Sequence, residues 1–206
     1  TFVGKGKDHT TVRGGFNVLD KQHVTFEELA ITNSRGFGLL CGGSGTNVDV
    51  TECCFKKCQN AGMDVREGAT VTASQCEFTE NGVDGVVCVG ANTKARLNDC
   101  AVHHNGRIGL FALDCAVVDL HGTKMDIHSN KGVGIYAGRR GKVNIHLPSQ
   151  HNTSHDNVGE DREQESDGSI ANINADGTFT HVVVDDEDDE FDGYYMQFNP
   201  IGTFTH

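Results

Sequence analysis

Histidine is the residue type in this chain best placed to do chemistry. Seven of the eleven, His103, His104, His121, His128, His146, His151 and His155, fall in one late stretch. An imidazole changes charge near neutral pH and ligates metals, so neighbouring histidines can move protons or hold an ion. The segment HNTSHDN (151–157) is the densest polar cluster. An enzyme would draw its acid–base groups from His121, His146, His155 and Asp156. The eight cysteines, Cys41 to Cys115, include no CxxC pair, and the spacing in CCFKKC does not suit a zinc site. GVGIYA (132–137) satisfies a dinucleotide-type glycine pattern, but no helical segment follows it, and GKGKDH lacks the spacing and hydroxyl of a phosphate loop. The residues taken singly therefore imply no metal and no cofactor.

The elements that position these residues come from an internal repeat. Gly38, Gly62, Gly85, Gly109 and Gly134 recur at steps of 24, 23, 24 and 25 residues, with Gly159 a weaker sixth. Four residues before each stand Ser34, Cys58, Asn81, Asn105, Asn130 and His155. Nine before the first five stand Leu29, Cys53, Cys76, Cys100 and Met125. Apolar positions within each unit alternate with period two, as in Val48/Val50, Val71/Ala73, Ala95/Leu97, Val118/Leu120 and Val143/Ile145, which specifies strands. Three short strands per unit, a glycine at a corner and no helix describe one coil of a parallel β-helix. About seven coils at the inter-strand spacing make an all-β solenoid roughly 30–35 Å long. A leucine-rich repeat has a similar period but needs leucine at several fixed positions, which this chain does not supply. Asn81, Asn105 and Asn130 look catalytic one by one; as a column they read as an amide ladder, with the glycines as corners or close approaches.

Units such as CEFTENGVDGVVCVGA and CAVHHNGRIGLFAL resemble the right-handed parallel β-helix repeats of the pectin-lyase-like superfamily. They are similar to the repeat region of copper-export-type periplasmic proteins and to the β-helix domains of some F-box proteins. The resemblance implies clear coils over 23–147 and looser coils over 1–22 and 148–181; the acidic, aromatic stretch 182–206 reads as a tail or cap. It is specific for fold and not for activity, because the superfamily holds lyases, hydrolases, epimerases and non-catalytic binders. The Asn-Thr-Asp and Asp-Asp pattern of polygalacturonases is not in the coils; Asp185-Asp186 sits in the tail. The DPHD-type motif of alginate epimerases is absent too.

Charge and composition narrow the partners. The net charge of −12 is concentrated between Glu160 and Asp192, where Arg162 is the only base, and the rest of the chain is close to neutral. Without a basic face, nucleic acid is excluded as a partner. No apolar run reaches the ~18 residues of a membrane span. Cysteine columns of three do not pair off, so reduced thiols and a cytoplasmic or nuclear location are expected; the sequon Asn152-Thr153-Ser154 points to the secreted alternative. The chain opens at Thr1 without Met, which suggests excision from a longer protein. The pentapeptide GTFTH occurs at 177–181 and again at 202–206.

One outward column breaks the polar rule. Two residues after each corner glycine come Leu40, Asp64, Val87, Phe111 and Tyr136, with Val89 and Leu113 two further on. Such a stripe is covered by the chain's own tail (Phe191, Tyr194, Tyr195, Phe198), by a protein or by a sugar. The expected function is a non-catalytic interaction module within a larger protein, with Leu40, Val87, Phe111 and Tyr136 offered to a protein partner. The alternative is a carbohydrate-active enzyme or carbohydrate-binding module that takes a polysaccharide. Oligomeric state is left open.

Overall fold

The computed structural model describes residues 1–148, 153–165 and 167–181. The chain winds through three parallel sheets in rotation, so each coil contributes one short strand to each. The first sheet runs from Phe2–Val3 through Val24–Glu27, Asn47–Thr51, Thr70–Ser74, Lys94–Asn98, Val117–His121 and Lys142–His146 to Ser169–Ile173. The second and third sheets hold seven strands each, from Thr11–Arg13 to Ser154–His155 and from Phe16–Leu19 to Arg162–Gln164. The about seven coils expected from the repeat are present. The first sheet ends differently: Phe179–His181, inside the first GTFTH copy, turns back and pairs antiparallel with Ser169–Ile173. The second copy and the whole 182–206 tail lie outside the described residues, as do His151 and Asn152.

The alternating sequence sets which side chains enter the solenoid. Val71, Ala73, Ala95, Leu97, Val118 and Leu120 point inward and are buried, while Thr72, Arg96 and Asp119 between them face out. Interior columns stack like with like. Phe55 lies on Phe78, with rings 5.1 Å apart and 7° from parallel. Cys53, Cys76 and Cys100 continue the column that ends at Met125, whose sulfur accepts the Cys100 N–H at 3.2 Å. One hydrophobic core runs from Val18 to Ile170.

The corner glycines are explained by close approach and not by φ. A Cβ at Gly109 would lie 2.7 Å from Gly134 O and 2.8 Å from Ile127 Cγ2. None of Gly38, Gly62, Gly85, Gly109 and Gly134 has a positive φ. The left-handed conformation falls instead on Lys57, Glu80, His104, Ser129 and Asp156, one position before the amide column, and on Glu28, Glu52, Gln75 and Asp99 between the first two sheets.

The amide ladder is present and longer than expected. Asn81, Asn105 and Asn130 each donate from Nδ2 to the Oδ1 of the next coil, at 3.0, 2.9 and 2.9 Å, and the last acceptor is Asn157. The final coil is stretched by two residues, so Asn157 takes the place assigned to His155 and Asp161 takes that of Gly159. Arg162 pairing with Ile135 fixes this register.

Candidate functional site

The third sheet carries the apolar stripe, in the expected column: Leu40, Asp64, Val87, Phe111 and Tyr136 are successive partners. Tyr136, Ile108 and Leu113 form a cluster separate from the solenoid core, with Val89, Phe111 and Val133 packed on it. The stripe therefore faces out. Its exposure is nevertheless small, because the coils cover it themselves. Val87, Leu113 and Tyr136 are buried, and Leu40, Val89 and Phe111 stay half-buried.

Arg107 supplies part of that cover, and three arginines along this face are held by aspartates. Arg107 lies 5.3 Å above the Phe111 ring and holds Asp84 through two bonds of 2.9 and 2.7 Å. Asp84 also accepts the Ile108 N–H at 3.0 Å. Arg66 lies 5.8 Å above the Phe37 ring and grips Asp64, whose burial pushes its carboxyl pKa up against the pull of that guanidinium. Arg139 donates to Asp114 at 2.6 Å, and the Tyr136 hydroxyl donates to Glu165 at 2.6 Å. The pairs Arg107–Asp84 and Arg139–Asp114 were not legible in the repeat pattern, because they join turn residues, whereas Asp64 and Arg66 stand two apart on the strand Met63–Arg66.

The first sheet brings His121 and His146 together. Their rings stack 3.9 Å apart, 13° from parallel. Asp119 lies two residues before His121 on the same face. Its Oδ1 accepts from His146 Nε2 at 3.0 Å and from Asn144 Nδ2 at 2.9 Å. Arg96, beside Asp119 on the neighbouring strand, donates to Asn98 at 3.2 Å. Burial, then the neighbouring charges of His146 and Arg96, lowers the His121 pKa.

The second sheet carries the other histidines as a stack. His103, His128 and His155 lie 5.0 and 5.3 Å apart, nearly parallel, with His104 edge-on to His103. Glu77 joins this row to Lys7, taking bonds from His103 Nε2 at 3.2 Å and Lys7 Nζ at 2.9 Å. His155 bonds Asp156 and Asp126, each at 2.9 Å, and these bonds raise its pKa, Asp156 first. Burial lowers that of His128. The set His121, His146, His155 and Asp156 is thus split between two sheets, and no hydrogen bond joins its halves among the described residues.

The eight thiols are free, seven of them buried and Cys115 half-buried. Burial pushes Cys41, Cys53 and Cys54 up to about 12 and Cys58 to about 11, which makes them poor nucleophiles. A shallow open depression of about 490 Å³, lined by Asp20, Gln22, Ser44, Gly45 and Asn47, sits in the first coils and contains none of the histidines. No helix among the described residues is long and apolar enough to cross a membrane.

Compared with known proteins, residues 9–154 match a family model described as a right handed beta helix region. No curated protein and no solved structure matches the chain.

Proposed function

The chain belongs to the right-handed β-helix family, and on that premise we propose that it is a non-catalytic interaction module whose third-sheet face receives a protein partner. The fold hosts many activities, so the argument rests on the site and not on the family. The carrying observation is an apolar cluster outside the solenoid core, with a half-buried Phe111 packed against it under Arg107. Aromatic and arginine side chains dominate binding energy at protein interfaces, and groups already held in place lose little entropy on binding. Arg66, Arg107 and Arg139 are each held by an aspartate before any partner arrives. A flat, rigid sheet face of this kind suits a macromolecule better than a small substrate.

The burial of Tyr136 weighs against the polysaccharide alternative, since a sugar needs an accessible ring face to stack on. The separation of His121 and His146 from His155 and Asp156 weighs against an acid–base pair built from that set. The test is a photo-crosslinking amino acid placed at position 111 in the full-length protein in cells, with position 96 on the first sheet as control. The reading expects a defined protein adduct from 111 that Arg107→Glu removes. Equal labelling at both positions, or adducts with glycan only, would overturn it.

A further inference from the structure

We propose that Asp119, His121 and His146 form a site for one divalent transition-metal cation of the Zn²⁺ class. One ligand atom from each residue can be chosen so that all three lie within 4.8 Å of one another. Asp119 and His121 share the strand Val117–His121, and His146 ends the strand Lys142–His146 in the next coil. Both strands are hydrogen-bonded to each other and to further strands of the first sheet, so the ligands stand on a rigid frame. All three side chains are half-buried, which leaves an entry path and lowers the cost of desolvating an ion.

The edge between His146 and Asp119 suits a small tetrahedral ion, and His121, whose ring stacks face to face on His146 at 3.9 Å, has to turn about its side-chain bonds to aim a nitrogen at the same ion. His146 Nε2 lies 3.0 Å from Asp119 Oδ1, close to the edge of about 3.3 Å expected between ligands bound at about 2.0–2.1 Å. A cation between these atoms takes the place of the Nε2 proton, and the neutral ring carries its proton on Nδ1 instead. Asn144 donates to the carboxylate at 2.9 Å and orients it, as outer-shell partners of metal ligands do. Two imidazoles and one carboxylate favour Zn²⁺, Co²⁺, Ni²⁺ or Cu²⁺ over Ca²⁺ and Mg²⁺, which prefer oxygen alone. Three protein ligands leave a fourth position for water or for a group from outside the chain.

The test is calorimetric titration of the tag-free protein with Zn²⁺, alongside visible absorption on adding Co²⁺. The proposal expects one Zn²⁺ per chain and the intense d–d bands of tetrahedral Co²⁺, with Ca²⁺ unable to displace either. His121→Gln, His146→Gln and Asp119→Asn should each abolish the bands, and Asn144→Ala should weaken binding about 10–100-fold. His155→Gln, on the second sheet, should change neither signal. Circular dichroism melting of each variant separates loss of the site from loss of the fold. Absence of stoichiometric binding would overturn the site. So would binding that survives the Asp119, His121 and His146 substitutions, or that depends on His155.

Discussion

Asn105 donates from Nδ2 to Asn130 Oδ1 at 2.9 Å, and the Asn105 backbone N–H donates to that same oxygen at 3.1 Å. Its second amide hydrogen reaches Phe78 O at 3.0 Å, while its own Oδ1 accepts from both the backbone and side chain of Asn81. One fully buried amide therefore ties three coils together and satisfies every polar group it meets.

Asn105→Ala should destabilise the protein by about 2–4 kcal/mol, because the Asn81 backbone and side-chain donors lose the buried oxygen that receives them. Asn98→Ala, at a half-buried outward position whose side-chain bonds to Ser74 at 3.1 Å and from Arg96 at 3.2 Å leave partners that water can reach, should cost about 1 kcal/mol or less. Urea unfolding of the two variants checks this. Equal losses would show that the ladder does not carry the load assigned to it.

Gly109→Val should cost several kcal/mol through crowding alone, since even its Cβ would meet Asn130 Nδ2 at 2.7 Å and Gly134 O at 2.7 Å. Gln75 is the contrasting case, exposed and held at φ 54°. Replacing it with glycine relieves the left-handed penalty, and Gln75→Gly should be neutral to stabilising by about 1 kcal/mol. Thermal melts showing a loss for Gln75→Gly as large as that for Gly109→Val would contradict the assignment of strain.

His155 and His128 should respond to pH with opposite signs. Asp156 and Asp126 raise the folded pKa of His155, so its stabilisation is complete below about 6.5 and is lost as pH rises through the raised value. His155→Gln should then cost more stability at pH 5.5 than at pH 8.5. Burial lowers the pKa of His128, whose neutral form is favoured in the fold; His128→Gln should cost less at pH 5.5 than at pH 8.5. Denaturation curves at the two pH values decide it, and parallel shifts for both variants would refute the pairing.

Thiol reactivity should follow burial. In the native protein Cys115, the half-buried one, is expected to alkylate first, and the seven buried thiols slowly. After denaturation all eight should react. Intact mass without reductant that shows a bridge between stacked coils would disprove the free state.

The coil period, the three strands, the cysteine column and the apolar stripe were all legible in the chain before its fold was known. Each follows from a local rule: period-two alternation sets facing, and a repeat near 24 residues brings like residues into register. Asp119 was legible as an outward residue. Its partnership with His146 was not, because the alternation says which face a side chain occupies and not how neighbouring side chains turn on that face. The stripe shows the same limit. Its outward direction follows from pattern, but its cover by Arg107, Val133 and Glu165 depends on turn residues that obey no period. The shift of the amide column from His155 to Asn157 arose where the last coil lengthens and counting residues no longer measures height along the solenoid. Sequence alone thus determined the fold and the facing of each strand residue, because both rest on short-range periodicity. Which carboxylate, imidazole or guanidinium meets which was decided only in three dimensions, where residues about 25 apart become neighbours and rotamers and turns choose among them.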